Sequence, residues 1–209
     1  MNKNLLILGA GQYGRLAKEI AEAMHYFENI DFLDDNEEIA IGKLNEYEKF
    51  SVSYSYAIVA SENPEIRLEW IHKLEESCFR VAILVHPKAC VSPSAQIMKG
   101  SIVEALSVIN TGSVIASGCI ISAGAVVNCN TVCADGVHID CNATVAANTL
   151  VPAGTHIHSN TFYKNDNIRT EDLFFNAESR SKSLENNKSN KPHGPLTING
   201  FEYCFEDGM

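Results

Sequence analysis

The chain has 209 residues, a formal net charge of −10 and seven cysteines. That length holds two modest domains and a tail, and the acidic balance excludes nucleic acid and anionic membrane surfaces as partners. The cysteines are odd in number and scattered, so they read as reduced thiols of a cytoplasmic protein rather than a disulfide framework.

No stretch approaches the length needed for membrane insertion, and the apolar run after Met1 is too short for a signal peptide. It runs straight into a glycine motif and an amphipathic helix. Residues 1–88 alternate apolar strands with helical patterns: a strand over Asn4–Leu8, a helix over Tyr13–Met24, strands over Ile30–Leu33 and Tyr56–Ala60, a helix over Pro64–Glu76 and a strand over Val81–Val85. This rhythm predicts a small Rossmann-like parallel α/β domain.

Gly9-Ala10-Gly11-Gln12-Tyr13-Gly14 fits the G-x-G-x-x-G pattern between the first strand and the first helix. Glycines there let backbone N–H groups approach a phosphate at the positive end of a helix. Asp34 and Asp35 end the second strand about twenty residues on, where dinucleotide folds place an acid on a ribose; a tight turn with solvated acids is the plainer alternative. Only one to one and a half mononucleotide-type units fit before the next segment, so a nucleotide sugar suits the fold better than NAD. Asn63 and Arg67 open the second helix at the same sheet edge and are candidates to line this pocket. Helix capping and a surface Arg are the competing reading.

From Val91 to Ile157 an aliphatic residue or Cys recurs at every sixth position, twelve times in succession. A period of six fits neither a helix nor an ordinary strand; it predicts hexapeptide repeats wound into a parallel β-helix over residues 89–162, three walls to a coil. One side chain per hexad points inward and stacks on its equivalent eighteen residues away, as in the column Val91, Ile109, Val127, Val145. In most hexads Gly or Asn stands three residues later, where a corner requires positive φ. Ile102, Val108, Val114, Ile120, Val126 and Val132 point outward and predict burial between subunits, most simply in a homotrimer. Residues 163–209 read as an extended tail, with a Ser/Asn/Lys-rich linker over Ser179–Asn190. A hairpin around Asn199-Gly200 with a type I′ turn follows.

The strand followed by Gly9-Ala10-Gly11, the strand end Phe32-Leu33-Asp34-Asp35-Asn36, the sequence Val85-His86-Pro87 leading to Val91-Ser92-Pro93, and Gly124-Ala125-Val126-Val127-Asn128 together resemble the NeuD/PglD-type sugar acetyltransferases, hexapeptide-repeat acyltransferases. The resemblance covers about residues 4–162. It implies a left-handed β-helix, a trimer, a nucleotide-sugar site (UDP- or CMP-linked) in the first domain, and acetyl-CoA bound as co-substrate between neighbouring β-helices. Asn142 and Ala147 fall where the family's coenzyme contacts lie.

Two departures stand out. The family's general-base His and the acid that orients it correspond to Cys129 and Asn130, and a thiol is a poor replacement for an imidazole. Losing a positioned base typically costs about 10² to 10⁴ in rate. The family's second His is retained as His138, with a packed interface His as the rival reading, since its column holds Ile102, Ile120 and His156. Cys129 as a nucleophile would need a thiolate-stabilising neighbour, and His138, half a coil away, lies on another face. A zinc site from Cys129, Cys133, His138 and Cys141 is rejected by register, because Cys133 points inward. His86 reads as a turn residue.

The leading expectation is acetyl transfer from acetyl-CoA to a nucleotide-linked amino sugar or a surface-polysaccharide sugar. Gly9, Gly11, Tyr13, Gly14, Asp34, Asp35, Asn63 and Arg67 would bind the substrate. Cys129, Asn130 and His138 stand at the catalytic positions, with His138 and backbone amides steadying the oxyanion. The runner-up is an impaired or inactive relative that binds nucleotide sugar or serves as a trimeric scaffold.

Overall fold

A computed structural model describes residues 2–166 and, as backbone strands, 196–198 and 201–203. Four short segments build the first sheet: β1 (Leu5–Leu8), β2 (Ile30–Leu33), β3 (Tyr56–Val59) and β4 (Arg80–Val81), all parallel, in the order β2-β1-β3-β4. β1 and β3 are buried throughout, as their continuous apolar sequences require of central strands covered on both faces. Helix α1 (Gln12–Ala23) buries Gly14, Ala17, Ile20 and Ala21 against one face. Helix α2 (Pro64–Glu76) packs on the other, with Ile71 and Leu74 in the core. A 3-10 helix, Leu44–Phe50, joins β2 to β3.

The second body is a triangular prism of two-residue strands. Its first wall stacks Leu84–Val85, Ile102–Val103, Ile120–Ile121, His138–Ile139 and His156–Ile157. The second stacks Cys90–Val91, Val108–Ile109, Val126–Val127, Thr144–Val145 and Phe162–Tyr163. The third stacks Gln96–Ile97, Val114–Ile115, Val132–Cys133 and Leu150–Val151. The register is the one the period predicts: Val103, Ile115, Ile121, Val127, Cys133, Ile139, Val145 and Val151 are fully buried. Val85 and Tyr163 extend the inner series by one hexad at either end.

Two details differ from the sequence reading. The single strand expected over Val81–Val85 is cut in two, because Ala82 donates its N–H to Ala57 of the first sheet and accepts from Gly100 of the prism. Leu84–Val85 therefore begins the first wall. Ile102 and Ile120, expected between subunits, are buried within the chain, and Ile102 joins the cluster under α1. Of the two corner slots that hold neither Gly nor Asn, Ser94 and Leu106, Leu106 takes φ 64° and is 68% exposed.

The glycine corners follow from packing. Gly100, Gly118, Gly136 and Gly154 line the edge between the third and first walls, and α2 lies along it. A Cβ on Gly100 would stand 2.4 Å from Ile71 Cδ1. The edge between the second and third walls, which α2 does not cover, carries Asn130 and Asn148 at φ 55°. Leu196–Ile198 and Phe201–Tyr203 pair antiparallel as the expected hairpin, whose turn and the Ser179–Asn190 linker lie outside the described residues. Among the described residues no helix is long and apolar enough to cross a membrane.

Candidate active site

The strand order reverses between β1 and β3, and the carboxyl ends of strands at such a point are the usual place for a ligand crevice in an open parallel sheet. Gly9, at φ 105°, turns the chain there, and Gly14 is required because a Cβ would stand 2.0 Å from the Gly9 carbonyl oxygen. Gly11, by contrast, has nothing within 4 Å of the point where a Cβ would stand, so its side faces open space.

The acidic strand end supports this loop directly. Asp34 accepts from the backbone N–H groups of Ala10 (2.8 Å), Asn36 (2.8 Å) and Glu37 (3.2 Å). Burial alone would raise its pKa; those three donors outweigh burial and hold the carboxyl below its ordinary value. Asp35 accepts from Leu44 N–H at 3.2 Å. Both acids thus tie backbone segments together.

Asn63 is the N-cap of α2, its side chain accepting from Ile66 N–H at 2.9 Å. Arg67, expected in the pocket, is 0% exposed. Its guanidinium donates to the carbonyls of Gly118 (2.6 Å), Gly136 (2.9 Å), Ser61 (2.5 Å) and Glu62 (3.2 Å). The physical reason is geometric: two glycine corners of the prism and the β3–α2 loop present carbonyls that one planar fork can reach together. Arg67 clamps the sheet domain to the β-helix and is corrected from pocket residue to structural tie.

The crevice meets the first wall at Tyr13. Its ring stands edge-on to His138, centroids 5.9 Å apart, so one expected substrate residue and one expected catalytic residue meet within a single chain. Burial, with Glu62, Glu104 and Asp140 nearby, pushes the Tyr13 phenol up to about 12 and keeps it a donor. His138 is 7% exposed, stacked on His156 (centroids 4.5 Å, planes 3° apart), and its Nε2 lies 3.2 Å from Ser122 Oγ. Burial, reinforced by His156 and partly offset by Asp140, pushes its pKa down to about 4, so the ring is neutral near pH 7.

Four polar neighbours escaped the sequence reading. Glu104, 9% exposed, accepts from Ala123 N–H at 3.1 Å and lies against the Ser122 hydroxyl. Its pKa is raised, by burial first and by the nearby Asp140, and those two donors offset only part of that. Asp140 accepts from Ser159 Oγ at 2.7 Å and stands 3.8 Å from His156 Nε2. The readable signal was register: Glu104, Ser122, Asp140 and His158 occupy one slot at intervals of eighteen, beside the column Ile120, His138, His156. A polar column against an apolar register marks a wall facing a crevice. Among the described residues no cluster of His, Cys, Asp and Glu is arranged to hold a metal ion.

Cys129, Asn130 and Ala147 sit together elsewhere, exposed on the edge between the second and third walls, opposite the His138 wall. Asn130 donates from its side chain to Asn148 Oδ1 at 3.3 Å, and Asn148 N–H donates to the Cys129 carbonyl at 2.9 Å. Asn142 occupies the edge between the first and second walls at φ 57°, and Asn160 N–H donates to the neighbouring Cys141 carbonyl. Within one chain these residues do not join His138. His86 makes the turn expected of it, its Nδ1 accepting from Lys88 N–H at 3.0 Å.

Comparison with known proteins places this arrangement. Residues 4–74 match the family described as the PglD N-terminal domain. The acetyltransferase domain of PglB from Neisseria gonorrhoeae, solved in complex with acetyl coenzyme A, is 32% identical over 78% of this chain and 82% of that chain, with a TM-score of 0.73. A second structure of that domain gives 31% identity, 77% and 85% coverage and a TM-score of 0.69. A mutant perosamine N-acetyltransferase from Caulobacter crescentus, in complex with CoA and GDP-perosamine, shares the fold at 19% identity, covering 76% of this chain and 90% of that chain with a TM-score of 0.54.

Proposed function

This chain belongs to the PglD/NeuD-type family of sugar acetyltransferases, with its left-handed β-helix, and we propose that it transfers the acetyl group of acetyl-CoA to the amine of a nucleotide-linked sugar. The observation that carries the reading is the meeting of the glycine-loop helix with the polar wall, Tyr13 against His138. A nucleotide held at the Gly9–Gly14 loop would extend its sugar toward that wall. The open side of Gly11 supports backbone approach to a phosphate, and Asp34 holds the loop in the required shape.

The acetyl donor fits the outer surface of the prism, where Asn142 and Ala147 are exposed at two different edges. Because these edges flank the second wall, a donor that touched both would run along it, or would bridge two copies of the chain. Val108, Val126, Val114 and Val132 on the second and third walls remain partly exposed. Their burial in a homotrimer would bring the Cys129–Asn130 edge of one copy toward another copy, which is the only way Cys129 and His138 can share a site. Among this chain's own residues, His138 is the imidazole at the reacting centre, and the proton on its ring decides whether it donates to an oxyanion or accepts from an amine.

A second reading has one observation in its favour: Cys129 and Asn130 supply neither an imidazole nor a carboxylate on the exposed edge. On that reading the chain binds nucleotide sugar without turning it over. Calorimetry on the full chain separates the two. The transferase reading expects heat of binding from acetyl-CoA and from a UDP-linked amino sugar alike; binding of the sugar nucleotide with no heat from acetyl-CoA would favour the scaffold.

A further inference from the structure

We propose that Glu104 and Ser122 are positioning residues that act through His138, fixing its proton on Nε2 and leaving Nδ1 as the acceptor toward the crevice. The catalytic part of this inference rests on the transferase reading; the part about the ring does not.

A serine hydroxyl has one proton to give and accepts with its lone pairs. Ser122 Oγ lies between the Glu104 carboxylate and His138 Nε2, at 3.2 Å from the latter. An ionised carboxylate only accepts, so the Ser122 proton goes to Glu104, and Ser122 Oγ then accepts from Nε2–H of His138. Were Glu104 protonated, the chain would run the other way and put the proton on Nδ1. Burial and the nearby Asp140 raise the Glu104 pKa, and two donors work against them to favour the carboxylate: Ala123 N–H, 3.1 Å from Glu104 Oε2, and the Ser122 hydroxyl.

Solvent access points the same way. Among the described residues no buried side-chain nitrogen or oxygen lacks a partner, and His138 has its hydrogen bond at Nε2. Nδ1 is therefore the nitrogen that solvent, and hence a substrate, can reach. The ring is held in place by the stacked His156 on one side and the edge of Tyr13 on the other. The groups that act on it are Tyr13 from α1, Arg67 from α2, and Asp140 and His156 from its own wall; Glu104 reaches it through Ser122, and Glu62 and Cys141 through Tyr13.

The chemical consequence follows. As the sugar amine bonds to the acetyl carbon and the carbon–sulfur bond breaks, the amine proton passes to His138 Nδ1. From there it goes to the departing thiolate. The imidazolium formed in between is stabilised by Glu104 through Ser122. A carboxylate, a hydroxyl and an imidazole thereby supply in one chain the acid–imidazole pairing that positions 129 and 130 lack.

The test is the tautomer of His138, read by ¹⁵N NMR of the histidine-labelled full chain at neutral pH and assigned with His138→Gln. The wild type should show Nε2–H. Glu104→Gln should shift the ring toward Nδ1–H, because Ala123 N–H keeps the amide oxygen and the amide NH₂ turns to Ser122. Ser122→Ala should release the ring to a mixture. In turnover both variants should lose at least about tenfold in kcat with an altered acid limb of the pH profile and an unchanged melt. A wild-type ring protonated on Nδ1, or an Nε2–H ring that persists in both variants, would overturn the proposal. If the tautomers behave as stated and the wild type transfers no acetyl group, the hydrogen-bond chain stands and the transferase reading falls.

Discussion

Arg67 is a fully buried guanidinium that ties four backbone carbonyls of two domains together. Replacing it by Ala would leave carbonyls of Gly118, Gly136, Ser61 and Glu62 without the donor that joins them. At about 1–3 kcal/mol for each buried group left unsatisfied, and allowing for water reaching some of them, a loss of about 3 kcal/mol is expected. Arg67→Lys should rescue little, since a single ammonium cannot span the fork. Chemical denaturation of the two variants checks both statements. His138 gives a second expectation at this scale. Its native pKa of about 4 lies below the unfolded value of 6.5, so the unfolded chain takes up a proton that the native one refuses. Stability is thus lost as pH falls from about 6.5 to 4, by up to about 3 kcal/mol, and no further below that. His138→Gln should remove this slope; parallel curves for wild type and variant would show that the ring is not the group involved.

At the scale of elements, the prism edges record what covers them. The edge under α2 is glycine at Gly100, Gly118, Gly136 and Gly154, while the edge between the second and third walls accepts Asn at 130 and 148. Both residue types tolerate the left-handed corner, so conformation does not distinguish the edges; contact does. Gly118→Asn, whose Cβ would stand 2.9 Å from Ile71 Cδ1, should cost about 2 kcal/mol by overpacking. Asn130→Gly should change stability by no more than about 1 kcal/mol. Melts of the pair test the contrast, and equal losses would mean that α2 does not set the choice. The hexad register was legible because one inward residue per wall repeats without interruption. The break within Val81–Val85 was not, since an apolar run does not reveal that its first half pairs with Tyr56–Ala57 and its second with Ile102–Val103. Nor did the outward apolar residue Ile102 announce its cover: α1 and a second subunit satisfy the same pattern, and only the packed helix decides.

Across the whole molecule, the glycine motif, Tyr13 and His138 were legible as candidates in the sequence, and the polar side chains beside His138 were not. Glu104 and Ser122 lie sixteen or more residues from His138 in the chain and meet it only because the coil returns every eighteen. Arg67 was misplaced for the complementary reason: its position beside the sheet edge suits a ligand as well as it suits the prism, until the carbonyls of Gly118 and Gly136 are in view. The partly exposed valines of the second and third walls lead to an expectation about assembly. Val132→Asp should leave each chain folded, because the inner column is untouched, and should reduce the native mass from trimer to monomer in sedimentation. A wild-type chain that sediments as a monomer would remove the shared edge from the account.

The most direct test of the central claim is release of free coenzyme A thiol when the full chain is mixed with acetyl-CoA and a set of nucleotide-linked amino sugars. The account predicts release that depends on one of these sugars and falls when His138 is replaced by Gln. No sugar-dependent release from folded protein across the set, with acetyl-CoA and sugar nucleotide both in excess, would contradict it.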